Sequence, residues 1–312
     1  MRRIVPPPLQ PGDTIRVIAP SGPCRSDTLL SGIEILSAQG FRVSLPDWLH
    51  SHLSKSFTHE SEGYLAAPDE LRLRDIHDAF TNNEYKAVIT TRGGFGVTRL
   101  LTQIEWSQWT KPKWFTGFSD TTAFALPLYE LLGWLSLTGP VVAANDGIAL
   151  EGTCWKSWQS LIMRSESQEF PISNYTKNQT SGVLLGGCLS LLTALCGTRF
   201  FPNLHGAILF IEDVNEDNYR VDRMLTQLEM CGVFDQIAGI VVGEFCDALG
   251  NPQSKRNECT VRRLLELTAH RPEVVVASGL PYGHYRDRCT VTIGADAVIE
   301  NDTLRITHPV TS

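Results

Sequence analysis

The chain contains no CxxC pair, no long block of lysine or arginine, no GxGxxG or GK[ST] phosphate loop, and no apolar run long enough to span a bilayer. Each absence removes a class of function. Without CxxC the common zinc spacings are excluded, and the eight cysteines (Cys24, Cys154, Cys188, Cys196, Cys231, Cys246, Cys259 and Cys289) are too scattered for a disulfide scaffold. They read as reduced intracellular thiols, several of them buried as small hydrophobes. A formal charge of -7 and the lack of a basic stretch argue against nucleic-acid partners, which need a cationic face. Apolar runs are strand-sized, well short of the roughly 18 residues of a membrane span, so no membrane partner is expected. The leading MRRIVPPPLQPGD carries three consecutive prolines where a secretion signal needs an unbroken apolar stretch. It reads as an untargeted arm, and the expected location is cytoplasmic.

What is present points to a large α/β protein. With 312 residues and 42% hydrophobic residues, the chain exceeds one ordinary core and can bury two. Short apolar runs alternate with amphipathic stretches, which is the pattern of βαβ units and a largely parallel sheet. Strands are expected over 14–19, 41–45, 87–90 and 114–118, with helices over 27–38, 68–80 and 121–132. Between about 150 and 180 the chain turns polar and irregular. Beyond it, strands are expected over 207–211, 237–242 and 274–277, helices over 219–230 and 261–270, and short strands over 290–293, 297–300 and 304–307. The fold class is thus α/β: an N-terminal open, mostly parallel sheet domain with flanking helices, followed by a smaller C-terminal α/β domain rich in short strands. The expected boundaries are 1–160, a crossover linker over 161–179, and 180–312.

Ser119, in the run GFSDTT (117–122), lies where an apolar strand ends and a helix begins. That position lifts a side chain to the carboxyl edge of a parallel sheet, and the helix N-terminus offers free N–H groups to a developing oxyanion. The competing reading is an ordinary N-cap, and Thr121 stands where GxSxG has its second glycine. The run RGGFG (92–96) ends the preceding strand and offers a second backbone donor, although three glycines also suit a plain tight turn. Glu212 directly follows the apolar run AILFI, and only the first acid after a strand is rigidly placed, so it ranks ahead of Glu216 as the orienting carboxylate. His284, in SGLPYGH (278–284), is the best-placed base. His50, His52 and His59 sit in a polar segment, His77 and His270 in predicted helices, His205 in a turn and His308 near the end of the chain. The order Ser119, Glu212, His284 is the nucleophile, acid, base order of α/β-hydrolases.

PGDTIRVIAPSGP (11–23), ELRLRDIHDAF (70–80), TTRGGFGVTRLL (90–101), GFSDTT (117–122), LLGGCLSLLTALCGT (184–198), LFIEDVNEDNYRVDRMLTQL (209–228) and GLPYGH (279–284) together resemble the LD-carboxypeptidase family. These are serine peptidases that include the muramoyl-tetrapeptide carboxypeptidases of peptidoglycan recycling. Any one motif alone is weak; in this order they are specific. The resemblance implies a triad of Ser119, Glu212 and His284, which decides Glu212 over Glu216, and an oxyanion hole from the backbone N–H groups of Gly94 and Asp120. It further implies a muropeptide substrate that loses its terminal D-alanine, a homodimer, and no metal or organic cofactor. The substrate's free carboxylate needs a cation, for which Arg92, Arg220 and Arg286 are candidates. A related branch cleaves peptidyl or aminoacyl nucleotides of the microcin C type and needs an aromatic face, for which Trp155, Trp158 or Tyr285 are candidates. A non-catalytic small-peptide binding protein is the reading from a different class.

Overall fold

A computed structural model of the chain describes residues 2–53, 63–143 and 152–308. Two compact units divide it, Met1–Ser165 and Glu166–Ser312. His59, among the histidines considered above, lies outside the described residues.

The first unit comprises β1 (Thr14–Ile18), α1 (Ser26–Ala38), β2 (Arg42–Ser44), α2 (Asp47–His52), α3 (Asp69–Thr81), β3 (Tyr85–Thr90), β4 (Trp114–Gly117), α4 (Thr122–Leu132), β5 (Ser136–Thr138) and α5 (Gly152–Arg164). Its strands run in the order β5-β4-β3-β1-β2 with every pair parallel. Parallel strands are covered on both faces, which explains their nearly continuous apolar character. Ile15, Val17, Val88, Ile89, Trp114 and Phe115 are all essentially inaccessible. On one face Trp158 of α5 meets Phe41 edge-on, and its indole N–H donates to Thr116 Oγ1 at 3.0 Å. On the other, Phe80 stacks on Trp109 with centroids 4.2 Å apart, and Phe124 of α4 packs on Phe115 at 4.6 Å. Helix α4 is buried over eight consecutive residues, consistent with a sequence apolar all round, and Gly133 at φ 71 ends it in the left-handed conformation.

Asp75 of α3 is buried and accepts the Trp48 indole N–H. Burial pushes its carboxyl up to about 6. The folded state therefore holds a proton between about pH 4 and pH 6 that the unfolded chain has released, and this contribution to stability is lost as pH rises through that window. Asp75→Asn keeps an acceptor for Trp48 without the charge, while Arg16 retains Asp78 at 3.0 Å. Relative to the parent, the variant is expected to gain about 1–2 kcal/mol between pH 4 and pH 7 after allowance for solvent screening. Chemical denaturation at the two pH values measures it, and equal differences at both would contradict the assignment.

The second unit comprises β6 (Gln168–Pro171), β7 (Ser173–Asn174), β8 (Thr180–Cys188), α6 (Leu189–Leu195), β9 (Ile208–Glu212), α7 (Asn218–Met230), β10 (Gly239–Glu244), α8 (Ser254–Leu267), β11 (Val275–Gly283), β12 (Val291–Ile293), β13 (Asp296–Glu300) and β14 (Thr303–Thr307). An eight-stranded sheet runs β6-β14-β13-β8-β9-β10-β11-β7. Its centre, β8 to β11, is parallel, and antiparallel strands flank it on both sides. The α/β class with a parallel first sheet and a strand-rich second half is as the sequence indicates.

Several expectations change in detail. The stretch 161–179, expected to be an irregular crossover, holds the end of α5, then β6 and β7. Those edge strands are short and half exposed, so they lack the apolar signal of a buried strand. Helix α8 begins at Ser254, well before the expected 261, because its first half is polar and its buried face starts at Thr260. Strand β11 continues past 277 to Gly283 through a register shift against β10 between Val242 and Glu244. All eight cysteines are free thiols. No helix among the described residues is long and apolar enough to cross a membrane.

Candidate active site

In the first unit, β4 closes at Gly117 and Ser119 opens a 3-10 turn, Ser119–Thr121, that leads into α4. Ser119 adopts φ 62, the left-handed region that a serine occupies only at a cost of order 1 kcal/mol. Such strain at a sharp strand-to-helix turn is what holds a nucleophile proud of a sheet edge. Gly117 makes the turn possible, since a Cβ there would fall 2.3 Å from Thr121 Oγ1. Asp120 follows directly in the first turn, where backbone N–H groups lack intrahelical acceptors.

The loop after β3 packs against this turn. A Cβ on Gly93 would lie 2.8 Å from Ser119 Cβ and 2.9 Å from Phe118 O, so only glycine fits. Gly94 takes φ 118, and the Gly22 N–H donates to Gly93 O at 3.1 Å. The loops after β1, β3 and β4 are pinned by one carboxylate that the sequence did not single out for this role. Asp120 Oδ2 accepts Ser21 Oγ at 2.6 Å and the Val97 N–H at 3.0 Å. Burial holds the Asp120 carboxyl above the usual range despite these donors. Arg72, also buried, binds Gly96 O at 3.0 Å, the Pro20 carbonyl, and Asp69 at 2.5 Å. Beside Gly94, Phe95 and Tyr64 form an outward-facing aromatic pair with centroids 5.8 Å apart.

In the second unit, Glu212 is the last residue of β9 and wholly buried. His284 follows β11, two strands away, and its Nδ1 lies 2.7 Å from Glu212 Oε2. The register shift before Gly283 supplies the extra length that turns the imidazole back toward β9. A Cβ on Gly283 would fall 2.4 Å from Glu244 O, so glycine is required at that approach. With Glu212 accepting at Nδ1, a neutral imidazole keeps its lone pair on Nε2. The pair can orient and charge-stabilise a general base. Asp213, next in sequence, accepts the Ser190 N–H at the start of α6 at 2.7 Å and the Cys188 thiol at 3.6 Å. Burial, followed by the charge of Glu212, pushes it up to about 6.

The structure separates the remaining candidates. Glu216 pairs with Arg220 at 3.7 Å on the surface, and Arg220 also meets Asp217 at 4.0 Å. Arg92 is half-buried and donates to Pro23 O at 3.0 Å, while Arg286 is exposed. Trp155 and Trp158 stack on each other inside the first unit's core, with centroids 4.7 Å apart. They offer no open aromatic face; Tyr285 is half-buried. His77 packs against Trp109, and His308 is half-buried with its Nε2 2.9 Å from Thr292 Oγ1.

Two family descriptions match the chain: LD-carboxypeptidase N-terminal domain over residues 15–139 and LD-carboxypeptidase C-terminal domain over residues 181–299. The chain is 34% identical to a probable murein peptide carboxypeptidase of Bacillus subtilis, covering 94% of this chain and 91% of that protein. It is 24% identical to the microcin C7 self-immunity protein MccF of Escherichia coli, covering 96% of this chain and 94% of that one. Among solved structures, the muramoyltetrapeptide carboxypeptidase from Oxalobacter formigenes superposes with a TM-score of 0.78 at 29% identity, covering 95% of this chain and 100% of the other.

Proposed function

Because this chain belongs to the LD-carboxypeptidase family, we propose that it is a serine peptidase that releases the terminal D-alanine from L,D-linked tetrapeptide muropeptides. The observation that carries the reading is the 2.7 Å contact between His284 Nδ1 and the buried Glu212. A buried carboxylate held on Nδ1 is how an imidazole is prepared to take a serine proton on Nε2. Ser119, strained at the sheet edge, is the nucleophile in this reading.

In the proposed reaction Ser119 Oγ attacks the carbonyl of the penultimate residue while its proton passes to His284 Nε2. Glu212 stabilises the imidazolium, and the backbone N–H groups of Gly94 and Asp120 receive the oxyanion. Collapse expels D-alanine, whose amine takes the proton from His284, and water then releases the acyl group by the same route. In this reading the enzyme works in the cytoplasm as a homodimer, as the family resemblance implies.

Mass spectrometry after incubation with a tetrapeptide muropeptide tests the proposal. Loss of one alanine is expected. Inertness toward it, with cleavage of an acyl-adenylate analogue, would assign the chain to the self-immunity branch instead. The burial of Trp155 and Trp158 weighs against a nucleobase platform built from them.

Gly93→Ala tests the fit of the nucleophile loop. The added methyl group must displace Ser119 or the Phe118 carbonyl, and misplacing a nucleophile by about 1 Å costs roughly 100-fold in rate. A kcat lowered by about that factor is expected, and an unchanged kcat would show that the Gly93 contact does not position Ser119.

A further inference from the structure

Cys188 closes β8 as Glu212 closes β9, and the two residues are paired in register. In-register neighbours on parallel strands point to the same face of the sheet. With His284 reaching back from β11, three different ligand types meet at one sheet edge. The Cys188 Sγ, a Glu212 carboxylate oxygen and a His284 ring nitrogen all lie within 4.8 Å of one another. Tetrahedral zinc, with bonds of about 2.0–2.3 Å, sets its ligand atoms roughly 3.3–3.8 Å apart. The contact of His284 Nδ1 with Glu212 Oε2, at 2.7 Å, has to open toward that spacing, while the distances to Cys188 Sγ, at most 4.8 Å, have to close by about 1 Å. A second observation points the same way: Glu212 Oε1 is buried without a hydrogen-bond partner, although the carboxylate is wholly enclosed. Thiolate, imidazole and carboxylate together favour a borderline-soft divalent cation over calcium or magnesium.

We propose that Cys188, Glu212 and His284 form a binding site for a soft divalent cation of the zinc and cadmium class, and that occupancy switches the enzyme off. The proton balance is simple. Cys188 gives up its S–H proton to solvent and binds as the thiolate, while the neutral imidazole binds through Nδ1 and carries its proton on Nε2. Nothing is oxidised or reduced. With Nε2 protonated, His284 cannot take a proton from Ser119, and Glu212 is withdrawn from Nδ1. The inhibition rests on the catalytic reading above, whereas the binding does not.

Cadmium chloride is the probe, followed through the ultraviolet charge-transfer band of a cadmium-bound thiolate in protein carrying Cys231→Ser and Cys259→Ser, which removes two more accessible thiols. One cadmium per chain is expected. Cys188→Ser is expected to abolish the band and weaken binding at least 100-fold, since losing a ligand outright exceeds the roughly 10–100-fold cost of losing an outer-shell partner. Glu212→Gln should keep the band but shift it to higher cadmium. Should Cys188→Ser fail to fold, cadmium co-crystals of the parent decide, with one anomalous peak expected among the three side chains. Absence of the band at one equivalent, its persistence in folded Cys188→Ser, or a peak elsewhere would overturn the site. Hydrolysis by the parent should fall on adding zinc and return with a chelator. Full activity with the site occupied would overturn the inhibition while leaving the binding intact.

Discussion

Ser119→Ala is expected to lower kcat for alanine release by roughly 10⁴–10⁶ with the fold retained. The residue's backbone sits at φ 62 between a sheet edge and a helix. Removing the hydroxyl leaves Gly117 and Gly93 with their close contacts and the Asp120 clamp untouched. His284→Ala should cost a similar factor, and the double variant little more than either single one, because the residues act as a unit. An alanine variant with more than about a hundredth of parental kcat would remove Ser119 from the mechanism.

Glu212→Gln should reduce kcat by roughly 10³–10⁴. The amide is nearly isosteric, so His284 can stay in place, but an amide nitrogen facing Nδ1 forces the imidazole proton onto Nε2. The base is then present in the wrong tautomer. Residual activity above that of Ser119→Ala is expected from backbone donors and binding. A shift in kcat without a matching change in KM would assign the loss to chemistry, whereas a change in KM alone would make Glu212 a substrate-binding group.

Much of this architecture could be read from the amino acids, and the failures have physical reasons. Buried parallel strands such as 87–90 announce themselves because both faces are apolar. Strands β6 and β7 do not, since an edge strand with one wet face resembles a loop. Ser119 and Glu212 each stand out in the sequence as a polar residue at the end of an apolar run, and His284 as a histidine in a Gly/Pro-rich stretch beyond one. That His284 rides on a bulged strand was hidden, because the glycines and proline of 278–284 carry the composition of a loop. The clamp of Ser21, Arg72 and Asp120 lay beyond reach for another reason. Its members stand far apart in sequence, and their bonds to Val97, Gly96 and Pro20 involve backbone atoms that every residue possesses. Cys188 likewise read as a small core hydrophobe. Its place beside Glu212 follows from strand register, which the sequence leaves open.

Under the proposed mechanism His284 is the base that activates Ser119. Labelling with a serine-reactive phosphonate tests it most directly. A single adduct, mapped to Ser119, is expected to form readily in the parent protein and at least 100-fold more slowly in His284→Ala, as loss of general-base assistance worth roughly 10²–10⁴ requires. An adduct on another residue, or labelling of Ser119 at the same rate with His284 absent, would contradict it.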